Sequence, residues 1–272
     1  MYLASRADRL HTRFTRTTNE GKTIWRTDFF GPPPSPQSSD SVRPDATNSL
    51  DYQPPRPGER REPQAFLVEQ SPGAVVHPHF HFVDQFQVVV EGKGQLGRHD
   101  IEPYTVHFAG GHTGYGPILP GHQGLKYFTL RATEDQTGAQ YLPANRHKMA
   151  EVPRRNIVFD PIAPLSAADL AALTAARRHT QQRSEDGPVV DVLSLPPGAH
   201  ADLPSHPGKG GRTLIVLEGD LRRGDKRYGR FSCGFLEPGE TLADLLAGAG
   251  GAQVLWLTYP APRPNRSANH AV

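Results

Sequence analysis

Short apolar runs, broken at close intervals by Gly, Pro, Asn and Asp, dominate the chain from residue 65 onward. Their period-two alternation and their β-branched and aromatic content predict strands over 65–70, 75–82, 86–91, 94–98, 105–109 and 125–132. Residues 22–27 suggest one more. The pattern returns after residue 189, where the apolar run 214–217 closing on Glu218-Gly219 parallels 88–90 closing on Glu91-Gly92. Pro196-Pro197-Gly198 likewise parallels Pro72-Gly73, and the interval to the closing glycine is 21 residues against 19. A repeat of that length implies duplication of a whole domain, not a solenoid. One helix interrupts the strands, near 166–178. Ser166 and Asp169 make a capping-box-like start, and Arg177, Arg178 and His179 supply the positive charge that suits a helix C-terminus.

Composition narrows this to a mostly β protein, because 27 Gly and 27 Pro among 272 residues require many turns. A net charge of +2 gives no reason to expect a nucleic-acid or membrane surface. A lone cysteine, Cys233, excludes an internal disulfide framework and, sitting in a predicted strand, suits a small buried side chain. With no apolar run long enough to span a bilayer and no secretion signal after Met1, the expectation is a cytoplasmic protein.

The chemistry concentrates between Gly73 and Gly92. His77, His79 and His81 alternate, so on an extended strand their side chains leave from one face, and imidazoles so placed can converge on one cation. This stretch resembles the first motif of the cupin superfamily: a Gly, five residues, His-x-His, three or four residues, Glu, six residues, Gly. Gly73, His79, His81 and Gly92 fall at those intervals, and Gln85 takes the Glu position. An amide oxygen there is a neutral, weaker ligand. The resemblance extends over roughly 65–260.

That resemblance implies an all-β fold of two cupin (jelly-roll) barrels joined by a segment with a short helix. It divides the chain into an N-terminal arm (1–64, Pro-rich from 31), a first barrel (65–143), a linker (144–188), a second barrel (189–262) and a tail (263–272). It also implies a divalent metal at His79 and His81, with Gln85 as ligand or as partner of bound water or substrate. A further His is expected from the second motif: His112 is preferred, His122 competes and His107 comes next. His77 is either a fourth donor or a support for the others. Tyr115, with Phe86 and Tyr127, is expected to line the barrel, and Gln85 and Tyr115 are the candidate catalytic residues.

Three imidazoles with open positions suit Fe(II), or Mn, Ni, Co or Zn. The implied activity is dioxygenase-type oxidation or cleavage of a small enolic, phenolic or diketone-like substrate. The rivals are a non-enzymatic small-ligand binder and a non-redox isomerase or lyase. A homodimer is expected, because cupins commonly pair through sheet edges. In the second half only His206 lies near the His-x-His position, and Arg212 stands in the Glu position. That half is expected to be degenerate and metal-free, with Arg212 and His206 able at most to hold an anion.

Overall fold

The computed structural model describes residues 1–17, 21–32, 45, 47–56, 58–202, 206 and 209–261. Residues 33–44 of the Pro-rich run and the tail from 262 lie outside the described residues. The strands are, in order, β1 (Tyr2–Ala4), β2 (Arg13–Thr17), β3 (Thr23–Phe30), β4 (Gln64–Gln70), β5 (His79–Phe80), β6 (Gln85–Leu96), β7 (His99–Ile101), β8 (Val106–Ala109) and β9 (Ile118–Arg131). After these come β10 (Gln140–Tyr141), β11 (Asn156–Val158), the helix α1 (Ala167–Ala171), β12 (Arg177–Gln182), β13 (Val189–Leu195), β14 (Arg212–Arg223), β15 (Lys226–Gly229), β16 (Cys233–Leu236) and β17 (Leu246–Thr258). No described helix is long and apolar enough to cross a membrane.

Two antiparallel sheets carry the molecule, one per half, with β5 and β10 as a separate small pair. The first runs β11-β8-β6-β9-β4-β3-β2 and the second β1-β16-β14-β17-β13-β12. The fold is all-β and double, as the repeated pattern predicts. The N-terminal residues are shared out: β2 and β3 extend the first sheet, while β1 pairs with β16 of the second.

The duplication holds residue by residue through the central strands, at a constant offset of 127. Gln85 corresponds to Arg212, Gly92 to Gly219, Tyr104 to Phe231, His112 to Gly239 and Gly124 to Gly251. Gly92, Gly219, Tyr104, Phe231, His112 and Gly239 all have positive φ. At Gly92 a Cβ would stand 2.2 Å from the Gly124 carbonyl oxygen, and at Gly219 it would stand 2.2 Å from that of Gly251. The glycine that closes the motif is therefore fixed by a bulge where β6 bends across β9, and again where β14 bends across β17.

Predicted strands 86–91 and 94–98 are one strand, β6, bent at that bulge, and the predicted 125–132 strand starts earlier, at Ile118. The 75–82 strand is cut down to His79–Phe80 plus a bridge from Val76 to Ile118. The helix is shorter than expected. Ser166 caps it with a full capping box, but it ends at Ala171, and Arg177, Arg178 and His179 belong to strand β12. Pairing along β13 outweighs the weak local helical pattern here.

Alternation sorts each strand's side chains between two environments. Phe86, Val88, Val90, Phe108, Phe128 and Leu130 of the first half pack with Ile215, Leu217, Cys233, Phe235, Leu255 and Leu257 of the second in one apolar cluster that joins the barrels. Tyr104 seals its edge, donating to Glu218 Oε1 at 2.5 Å and accepting from Arg230 at 2.8 Å. The opposite faces line the two interiors, which differ. The second is filled by Leu214, Val216, Val254, Trp256, Leu236 and Leu242. The first holds buried Gln85, Gln87, His107, Thr129 and Arg131.

Candidate functional site

His79 and His81 are brought together inside the first barrel. The β5 segment is anchored on both sides, by Tyr141 of β10 and by a two-way backbone bridge between His79 and Tyr115. Because 79 and 81 share a face, their rings meet edge to face at 5.2 Å between centroids, with Tyr115 packed 4.4 Å from His79. Phe80 and Phe82 leave from the opposite face.

Each imidazole is held through Nδ1. That of His79 donates to the His77 carbonyl at 2.7 Å, and that of His81 donates to Asp135 Oδ2 at 3.0 Å. A ring whose Nδ1 carries the proton presents a lone pair at Nε2. Both rings are neutral. Burial, helped by the mutual repulsion of the two rings, pushes His79 down to about 3, and burial with the nearby Arg131 charge pushes His81 down to about 4. Asp135 is buried yet ionised, held down to about 2 by His81, Arg131 and Thr137 against the desolvation that opposes it. Its second oxygen accepts from the Thr137 N–H at 3.0 Å and from the Thr137 hydroxyl.

Gln85 spans the barrel interior. Its Nε2 donates to the Tyr115 hydroxyl, and its Oε1 accepts from Arg131 Nε at 3.2 Å and Nη2 at 3.1 Å. Burial pushes the Tyr115 phenol well up, so it stays protonated. Arg131, at the end of β9, also donates through Nη1 to Gln64 Oε1 at 2.9 Å. Its Nη2 lies 3.1 Å from both nitrogens of His81. An atom that close to both nitrogens within the ring plane would collide with Cε1. The guanidinium therefore rests against the ring face, a cation–π contact that leaves the Nε2 lone pair in place.

The other histidines take different places. His112 is not brought to the chamber: its Nδ1 accepts from the Ala150 N–H at 3.0 Å, and its ring packs on Phe80 and Phe82, behind the strand. His122 is exposed on β9. His107 points inward but is engaged at both nitrogens, by Gln87 at 2.8 Å and Asn156 at 2.9 Å. His77 contributes its carbonyl. The expected third imidazole is thus not assembled, and among the described residues no three His, Cys, Asp or Glu side chains are grouped to hold an ion. Across the bridge from His79 stands Tyr115. Arg131 and Asp135 went unmarked in the sequence. The parity Tyr127-Thr129-Arg131 was the available signal for the first, since it places an arginine on the inner face of a strand.

The donor chemistry fits a divalent cation through two neutral imidazoles, with the Tyr115 oxygen alongside, whereas Gln85, expected as a ligand, has its Oε1 taken up by Arg131. In the second barrel Arg212 and His206 are apart. His206 Nε2 lies 2.9 Å from Asp191, whereas Arg212 donates to the Glu240 carbonyl at 2.8 Å and lies over Trp256.

No family model matches the chain, and no curated protein sequence does. Solved structures do match, at low identity. A candidate dioxygenase from Nostoc punctiforme superposes with a TM-score of 0.55 at 12% identity, covering 93% of this chain and 79% of its own. The bacterial pirin YhhW from Escherichia coli, in complex with nickel(II), gives 0.53 at 9%, covering 96% and 99%. An oxalate decarboxylase from Bacillus subtilis gives 0.53 at 10%, covering 96% and 77%. These are cupin-fold proteins, and their match runs across both halves of the chain: it has the cupin fold, with two barrels in one polypeptide.

Proposed function

We propose that the first barrel is the working half, that it holds a divalent metal at His79 and His81, and that it carries out dioxygenase-type oxidation of a small enolic, phenolic or diketone-like substrate. One observation carries the reading. Both rings are buried, neutral and pinned through Nδ1, as ligating histidines are, which leaves Nε2 as the nitrogen to offer to a cation, with Arg131 Nη2 3.1 Å from that of His81. The likeness to a candidate dioxygenase and to a nickel(II) pirin adds support. Fe(II) suits the chemistry best, with Mn, Ni, Co or Zn able to occupy the same donors. When bound, such an ion supplies Lewis acidity and, for iron, access to redox chemistry with O₂.

The chain's own residues define the rest. Asp135 fixes the His81 ring and its tautomer. Tyr115 accepts from Gln85 and remains protonated, so its O–H is the group that donates to a substrate oxygen. Gln85 holds Tyr115 and Arg131 in register across the chamber.

Metal analysis of freshly purified protein, followed by O₂ uptake on a diketone and catechol panel, tests this. The expected result is stoichiometric metal, lost together with turnover in the His79→Ala/His81→Ala protein. Wild-type protein that takes up none of the five metals ends the reading. A second reading, a metal-free binder of small anions, draws on the buried Arg131 cation beside only two imidazoles.

A further inference from the structure

Arg131 is more than the fold requires. Its counterpart in the second barrel, at the same register and the same offset of 127, is Thr258, paired with Arg212. The same strand geometry thus forms without an arginine at this position. Burying a guanidinium is costly unless a carboxylate compensates it. Arg131 is 4% exposed, and no described carboxylate lies within ion-pair distance of it. Its acceptors are the neutral amide oxygens of Gln64 and Gln85.

Asp135, the nearby acid, is already filled. One oxygen takes His81 and the Phe82 N–H at 3.4 Å, and the other takes Thr137 twice. Of the five N–H donors a guanidinium carries, three go to amide oxygens, and the Nη2 contact with His81 is to the ring face. Two donors are left, one on each terminal nitrogen, and the one on Nη2 faces the His81 ring. A permanent cation with spare donors, whose direct contacts are neutral polar groups and whose nearest negative charge, Asp135, acts on it only from beyond ion-pair distance, is suited to an incoming oxyanion.

We propose that Arg131 is the receptor for an anionic oxygen of the ligand, which selects small planar organic anions, enolates or carboxylates. This rests on the first barrel being the binding chamber and deepens the reading above, but it does not need the metal. By the same electrostatics, Arg131 opposes a bare divalent cation at His81, so anion and metal bind cooperatively where both bind.

The test uses the full chain, stripped of metal with a chelator, and titrates acetylacetonate and malonate by calorimetry. The first probe is an enolate, the second a carboxylate. Wild type is expected to bind at least one of them. Arg131→Met is expected to weaken that binding about tenfold to a hundredfold, the loss of one charge-assisted contact. Because replacing a buried arginine can disturb folding, Gln85→Glu is the second variant. It leaves Arg131 present but supplies an internal carboxylate to it, and a similar loss is expected while circular dichroism stays native. Equal affinity in wild type and both variants, or no binding of either probe to wild type, overturns the proposal. Metal content of the same proteins keeps the two ideas separable: anion binding without metal uptake ends only the metal reading, and metal uptake without anion affinity ends only this one.

Discussion

At the scale of single residues the site is a pair of neutral imidazoles, His79 kept in order by the His77 carbonyl and His81 by the ionised Asp135. Replacing Asp135 by Asn removes the charge that holds His81 while keeping its size. Metal affinity measured by competition with a chromogenic chelator is expected to fall about tenfold to a hundredfold, the usual cost of losing a ligand's outer partner. A pH dependence follows from the same burial. In the unfolded metal-free chain His79 and His81 titrate near 6.5, whereas folded they are held to about 3 and about 4. The unfolded state therefore binds more protons below pH 6.5. Stability from this source is full above that value and drains as pH falls toward 4. Asp135, also held down, acts in the same direction but remains ionised across this window, its contribution fading only below its ordinary 3.8. Thermal midpoints of chelator-treated protein between pH 7 and 4 should fall steadily, and a flat profile would contradict the burial of these rings.

At the scale of elements, the long bent strands do the positioning. The β6 strand crosses β9 and must bend where Gly92 meets the Gly124 carbonyl. Gly92→Ala adds a Cβ 2.2 Å from that oxygen, at a φ of 79° that a side chain resists. Its cost is expected to be about 2 kcal/mol or more in denaturant unfolding, and Gly219→Ala should behave alike in the second barrel. The β12 strand shows the reverse case. Its local pattern suited a helix end, yet Arg178 donates to Asp191 at 2.8 Å and the backbone completes the edge of β13.

At the scale of the molecule, the two barrels share one apolar cluster built from the outer faces of their central strands. Leu255 and Phe128 are fully buried there. Leu255→Ala should cost about 2–5 kcal/mol and Phe128→Ala about 3–5 kcal/mol. Because the cluster belongs to both halves, each variant should lower a single unfolding transition. Two separate transitions by calorimetry, only one of them moved, would show that the halves unfold independently. The inner faces differ at matching positions: Gln87 and Thr129 in the first barrel stand where Leu214 and Trp256 stand in the second, while Gln85 and Arg131 correspond to the buried polar Arg212 and Thr258.

The sequence alone determined what spacing can express. Period-two alternation placed His79 and His81 on one face, turn residues delimited the strands, and the recurrent Glu-Gly ending exposed the duplication, because all of these act over a few neighbouring residues. Tertiary structure decided what enters the chamber from a distance. His112 sits at a left-handed turn whose counterpart is Gly239, and there its ring is carried behind the strand while Tyr115 comes forward. Arg131 and Asp135 reach His81 from about fifty positions along the chain, through the pairing of β9 with β6 and the turn that follows β9. No local pattern encodes that contact, because it exists only once the strands are ordered into a sheet.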